Sequence, residues 1–120
     1  MKYLLLIYNN PAMLAALPKA ENDAIMSDVD RIMAELTASG EFIGGQALAD
    51  SSQSRTVRTV DGTLTTTDGP YAEAKEQLAG YLMVECDSVE RATEIARSWP
   101  DARFGAMEVR PVMHTSGQEM

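Results

Sequence analysis

Residues 3–8, Tyr-Leu-Leu-Leu-Ile-Tyr, are apolar at every position. Successive side chains of a strand point to opposite faces, so Tyr3, Leu5 and Ile7 line one face and Leu4, Leu6 and Tyr8 the other. Asn9-Asn10-Pro11 ends the run, and Lys2 to Tyr8 reads as a short strand. The run is too short for a signal-peptide core and no small-residue cleavage pattern follows it. A strand apolar on both faces needs cover on both. Residues 77–85 make the same demand. Leu78, Leu82 and Val84 fall on one side of a regular strand, and Ala79, Tyr81 and Met83 on the other.

Between these strands lie helical periods. From Glu21 to Ser39 the apolar residues Ile25, Val29, Ile32, Met33 and Leu36 form one stripe along a helix, with Gly40 placed as its C-terminal cap. Residues 11–20 read as a loop or a short helical piece closed by Pro18. Phe42 to Leu48 reads as a strand weakened by Gly44-Gly45. Two β-rich runs, Arg55 to Val60 and Thr63 to Thr67, flank Asp61-Gly62, whose residues both tolerate the positive φ of a tight hairpin turn. Asp87 is placed to cap a second helix, with Glu90 three residues on completing a capping box. Val89, Ala92, Ile95, Ala96 and Trp99 give that helix its stripe, and Pro100 stops it. Phe104 to Val109 reads as the last strand.

The order predicts an α+β fold, a ferredoxin-like split β-α-β sheet with an extra β-hairpin and both helices on one face. Residues 1–112 are expected to form one domain, followed by a polar tail over 113–120. Helices on one face leave the other uncovered, and that face is apolar. Large exposed apolar patches are rare in monomers. A second copy packed sheet against sheet is the simplest cover. The alternative is that the segment around Met13, Leu14 and Leu17 folds over it.

Charge and composition narrow the partners. The 120 residues carry a net charge of −8, which repels nucleic acid and anionic membrane surfaces. No stretch approaches the roughly 18–20 apolar residues of a membrane span. Cys86 is the only cysteine, so no intrachain disulfide can form, and a reducing cytoplasmic setting fits. One histidine and one cysteine give no zinc-ligand pattern. Cys86 reads as a small buried hydrophobe. The methionines read as core filler, with Met13, Met26 and Met113 able to line an apolar pocket; no metal and no cofactor is assigned.

The most informative stretch is Asp68-Gly69-Pro70-Tyr71-Ala72-Glu73-Ala74-Lys75-Glu76. Asp68 can bond backbone amides ahead of it and fix a turn. Gly69, before proline, is pushed toward extended geometry. Pro70 fixes φ, and Tyr71 is thereby aimed in a defined direction. The stretch is first a rigid turn. Its functional reading places Asp68, the candidate catalytic residue, in a pocket beside Lys75, Glu73 or Glu76, where a carboxylate near a lysine can act in acid/base work. Glu108 and Arg110 are two apart on the last strand and share a face. If that face is buried they need partners, supplied by each other or by an Arg110–Asp68 contact.

This stretch, with the MKYLLLIY strand, Gly80-Tyr81 and Met107-Glu108-Val109-Arg110-Pro111-Val112, resembles the YCII-related family, and its DGPF-domain branch in particular. Tyr71 stands where that branch has Phe. The resemblance spans Met1 to about Val112. It implies a dimeric α/β-barrel of ferredoxin-like subunits, and relatives that include small cofactor-free enzymes with a proposed histidine–aspartate dyad. Genes of such proteins often lie beside those for extracytoplasmic-function sigma factors. Residues 9–24, where the dyad histidine is expected, contain none, and His114 lies in the tail. Asp68 therefore carries over only as a pocket residue.

Two functions compete. One is a cofactor-independent enzyme or binder of a small organic molecule, with Asp68, Tyr71, Lys75, Tyr81, Glu108 and Arg110 as pocket residues. That pocket requires Asp68 and Arg110 to face a cavity and not bulk solvent. The other is a non-catalytic regulatory or interaction protein, linked to a sigma factor by the gene neighbourhood that the resemblance implies.

Overall fold

The computed structural model describes residues 1–117. Strand β1 (Lys2–Asn9) is followed by a short helix α1 (Pro11–Ala15) and a long helix α2 (Lys19–Ser39). Strands β2 (Phe42–Ala47), β3 (Arg55–Val60), β4 (Thr63–Asp68) and β5 (Gln77–Glu85) come next. Helix α3 (Val89–Ser98), the single turn α4 (Asp101–Phe104) and strand β6 (Ala106–Pro111) complete the chain. Four strands form one antiparallel sheet in the order β2-β5-β1-β6. With α2 and α3 on one face, this mixed α+β arrangement is consistent with a ferredoxin-like fold. The core lies between that face and the helices. Tyr3, Leu5, Leu82 and Val84 of the sheet meet Ile32 and Leu36 of α2 and Ala92, Ile95 and Trp99 beside α3.

Three local details differ from the sequence reading. The cap of α3 is Ser88, whose hydroxyl accepts from the Arg91 amide at 3.1 Å; Asp87 lies one position too early. Pro100 ends α3 but also opens α4, where a proline is tolerated because first-turn amides need no partner. That extra turn delays the last strand to Ala106. In β5 the pairing skips Ala79, so Ile7 faces Gly80 and Tyr8 faces Leu78. This bulge moves Leu78 to the face opposite Leu82 and Val84.

The second face of the sheet carries Leu4, Leu6 and Tyr8 of β1, Tyr81 and Met83 of β5, and Glu108 and Arg110 of β6. Its apolar members Leu4, Leu6, Tyr81 and Met83 are only half-buried. The segment after β1 does not cover it. Asn10 caps α1 by accepting from the Ala12 and Met13 amides, and Met13 and Leu17 then line a hollow with Ile25 of α2 and Phe104 of α4. Leu14 turns under α2.

Asp61 (φ 51°) and Gly62 (φ 81°) form the tight turn between β3 and β4 that their sequence demands. This hairpin is a separate two-stranded sheet. It stands out as an arm: the radius of gyration is 16.3 Å, against about 13–14 Å for a compact chain of this length.

Candidate functional site

The expected pocket residues fall into two groups. Tyr81, Glu108 and Arg110 share the second face of the sheet, where Tyr81 and Glu108 flank Leu6 from either side. Arg110 donates to Glu108, the internal pair that their spacing allows. That pairing raises the Arg110 pKa. Asp68 and Tyr71 belong to the arm. Asp68 lies 3.8 Å from Arg55, with its side chain 93% exposed. Tyr71 is also exposed, its ring centroid 5.2 Å from the Arg58 guanidinium carbon. Lys75 is exposed and lines an open hollow of about 590 Å³ with Tyr8, Asn10 and Glu76.

The turn itself is built differently from its expected form. Gly69 takes φ +99°, a value that an L side chain rarely adopts, and not the extended geometry its proline neighbour favours. Its amide donates to the Ser54 carbonyl at 2.7 Å, and its carbonyl accepts from the Thr56 hydroxyl at 2.8 Å. The Gly69 backbone thus fixes the turn, and not the Asp68 carboxylate. Within one chain, Asp68 and Arg110 do not meet, and both side chains are mostly in solvent.

Another concavity lies between α2 and the sheet. A cleft of about 450 Å³ is walled by Ile25, Met26, Val29 and Met33 of α2, and floored by Ile7, Gly45, Gly80 and Leu82. Trp99 and Phe104 close one end. The helical stripe read from the sequence supplies this wall: only Ile32 and Leu36 of α2 are fully buried, which leaves the N-terminal part of the stripe facing the cleft. Gly45 admits β2 close to β5, since a methyl group there would stand 2.8 Å from the Tyr81 carbonyl oxygen.

Polar side chains in the cleft are few: Asn9, Asn22, Gln46 and Asp101. Asn9 ends β1 and Asp101 begins α4, and both are buried. The Asn9 amide nitrogen donates to Asp101 Oδ2 at 2.9 Å. A buried carboxylate is costly unless it is hydrogen-bonded, and this amide supplies a bond. A second, smaller hollow of about 260 Å³ shares Asn9, Leu14 and Ala79 with the cleft. A third adjoins it through Leu48, Asp50 and Gln77, and reaches Pro70 of the Asp68-Gly69-Pro70-Tyr71 turn. The turn therefore lies at the far end of a row of hollows that begins at Asn9.

Neither Asn9 nor Asp101 was a candidate from the sequence. Asn9 reads as a strand terminator and Asp101 as one acid after a proline. No local pattern joins residues 92 positions apart. A signal was present in weaker form: an acid directly after Trp99-Pro100 lies next to a core residue.

Other reactive groups are inert or outside. Cys86 is buried and unpaired in any disulfide, and burial pushes its thiol pKa up. His114 is exposed. Among the described residues no three His, Cys, Asp or Glu side chains cluster as metal ligands, and no helix is long and apolar enough to cross a membrane.

Residues 1–116 match the family described as YCII-related domain. An uncharacterised protein of Rhizobium meliloti (strain 1021) is 32% identical over 114 residues, covering 93% of this chain and 92% of its own. Among solved structures, the 5-chloro-2-hydroxyhydroquinone dehydrochlorinase of Burkholderia phenoliruptrix AC1100, in complex with 2,5-dihydroxybenzoquinone, aligns with a TM-score of 0.49 at 15% identity, over 96% of each chain.

Proposed function

The chain belongs to the YCII-related domain family, and we propose that it is a binder of a small, largely apolar molecule that carries one hydrogen-bond donor. The ligand lies in the cleft between α2 and the sheet, and its donor is directed at the Asp101 carboxylate. The motif Asp68-Gly69-Pro70-Tyr71 supports membership of the DGPF branch, and in this reading the turn shapes the outer end of the row of hollows. The observation that carries the proposal is the Asn9–Asp101 pair, a hydrogen-bonded carboxylate in the wall of a largely apolar cleft. Sites for small molecules have this composition, an apolar lining with few fixed polar groups, and volumes of roughly 300–1,000 Å³. A carboxylate placed there is also suited to accept a proton from a bound hydroxyl, which is the chemistry a cofactor-independent enzyme of this type would use.

The working unit in this proposal is a homodimer joined through the second sheet face. The half-buried Leu4, Leu6, Tyr81 and Met83 supply apolar area. The charged side chains on that face, Lys2, Glu85, Glu108 and Arg110, sum to zero, so a second copy meets it without net repulsion.

A thermal-shift screen with small phenols and hydroxylated aromatic acids tests the binding claim. Binding to the native state raises the melting temperature by mass action. At least one compound should stabilise the native chain and have a markedly smaller effect on Asp101→Asn. Equal stabilisation of both chains would remove Asp101 from the site.

A further inference from the structure

The β3–β4 arm is poorly explained by the chain's own packing. A two-stranded hairpin alone is marginally stable in water. This one exposes Val57 at 60% and Leu64 at 73%. Its register pairs Val57 with Thr66 and Thr59 with Leu64. Val57, Thr59, Leu64 and Thr66 therefore share one face. Arg58 belongs to the other face, where it lies over the Tyr71 ring. The base of the arm is fixed by the Gly69 amide on Ser54 and the Thr56 hydroxyl on Gly69. The arm is thus held out in a defined direction with its Val57–Leu64 face uncovered.

We propose that this face lies against a second copy of the chain, each arm clasping its partner across the two-fold axis. The inference rests on the sheet-to-sheet dimer proposed above and adds a second contact surface to it. Charge selects the occupant. The arm and the second sheet face together carry four basic residues (Lys2, Arg55, Arg58 and Arg110) and four acidic ones (Asp61, Asp68, Glu85 and Glu108). The whole excess of eight acidic charges therefore lies on the rest of the chain. A basic partner would be drawn to that remainder, whereas a second copy meets no net repulsion at these two surfaces. Two-fold symmetry covers both in one step, because an isologous interface uses the same patches twice.

Sedimentation of the native chain and of Leu64→Arg tests the clasp. Leu64 is outside the core, so the variant should keep the native far-ultraviolet circular dichroism. The native chain is expected to be a dimer, and the variant's dimer dissociation constant should rise at least tenfold. A second measurement places the contact. p-Benzoylphenylalanine at position 64 is photolysed in a mixture of light and nitrogen-15-labelled chains. Light–heavy crosslinks are expected. A variant dimer as tight as the native one, or crosslinks confined within single chains, would overturn the clasp and leave the sheet-to-sheet dimer standing. A native chain that is monomeric at all concentrations would overturn both.

Discussion

The Asn9 side-chain amide donates to the Asp101 carboxylate at 2.9 Å, tying the last residue of β1 to the first of α4. Both residues are buried. The bond fixes how the α3–α4 corner lies on the end of the sheet, and it places the one buried acid of the described core in the wall of the cleft.

Asn9→Leu should therefore be strongly destabilising. It leaves a carboxylate without its donor, and a buried charge stripped of its partner costs about 2–4 kcal/mol. Asp101→Asn should cost less, about 1 kcal/mol, because amide can still bond amide. Urea unfolding of both variants and the double variant gives the coupling. Additive losses would mean that the bond is not made in solution.

The Glu41–Arg91 pair predicts the response to acid. Arg91 donates to both Glu41 oxygens at 2.8 Å, and the Ser39 hydroxyl donates a third bond at 2.8 Å. Chiefly through the Arg91 bonds, and against the opposing effect of burial, the Glu41 pKa is lowered to about 2. A carboxyl with a depressed folded pKa stabilises the fold above its unfolded value and loses that contribution as pH falls through the folded one. Stability from this pair should fall between pH 4.5 and about 2. Arg91 is 43% exposed, so solvent screening limits the contribution to about 1 kcal/mol. Glu41→Gln should be less stable at pH 7 by that amount and flatter in this pH window, as followed by unfolding free energy against pH.

Asp68→Ala should be close to silent in the fold. The Asp68–Arg55 pair is exposed on both sides, and such pairs contribute about 0–1 kcal/mol. Its melting temperature should stay within a degree or two of the native value, and ligand stabilisation through the cleft should persist. Loss of ligand response with this variant, measured in the same thermal-shift assay, would return the site to the turn.

Cys86 should react slowly with thiol reagents. It is 7% exposed and its thiol pKa is raised by burial, while reaction requires the thiolate. Labelling by a chromogenic disulfide at pH 8 should be slow in buffer and fast in denaturant. Prompt labelling in buffer would show that the β5–α3 corner opens readily.

Features with a local cause were legible in the sequence. The α2 stripe from Ile25 to Leu36, the Asp61-Gly62 turn and the two-sided β1 strand each follow from periodicity or turn chemistry within a few residues. The Glu108–Arg110 pair followed from spacing on a strand. Features with a non-local cause were not. The bulge at Ala79 reverses the side that Leu78 takes, and it arises from pairing with β1. The detachment of β3–β4 from the main sheet depends on where the chain lies after Gly69. The Asn9–Asp101 bond joins two elements at opposite ends of the chain. The Asp68-Gly69-Pro70-Tyr71 motif is distinctive in sequence, and in the structure its Gly69 backbone holds the base of the arm.

The most direct test of the cleft is a nitrogen-15 NMR titration with whichever phenol or aromatic acid stabilises the chain. Shifts are expected at the amides of Asn9, Ile25, Val29, Gly45, Gly80 and Asp101. Shifts confined to residues 68–76, with the amides of Asn9 and Asp101 unmoved, would contradict it.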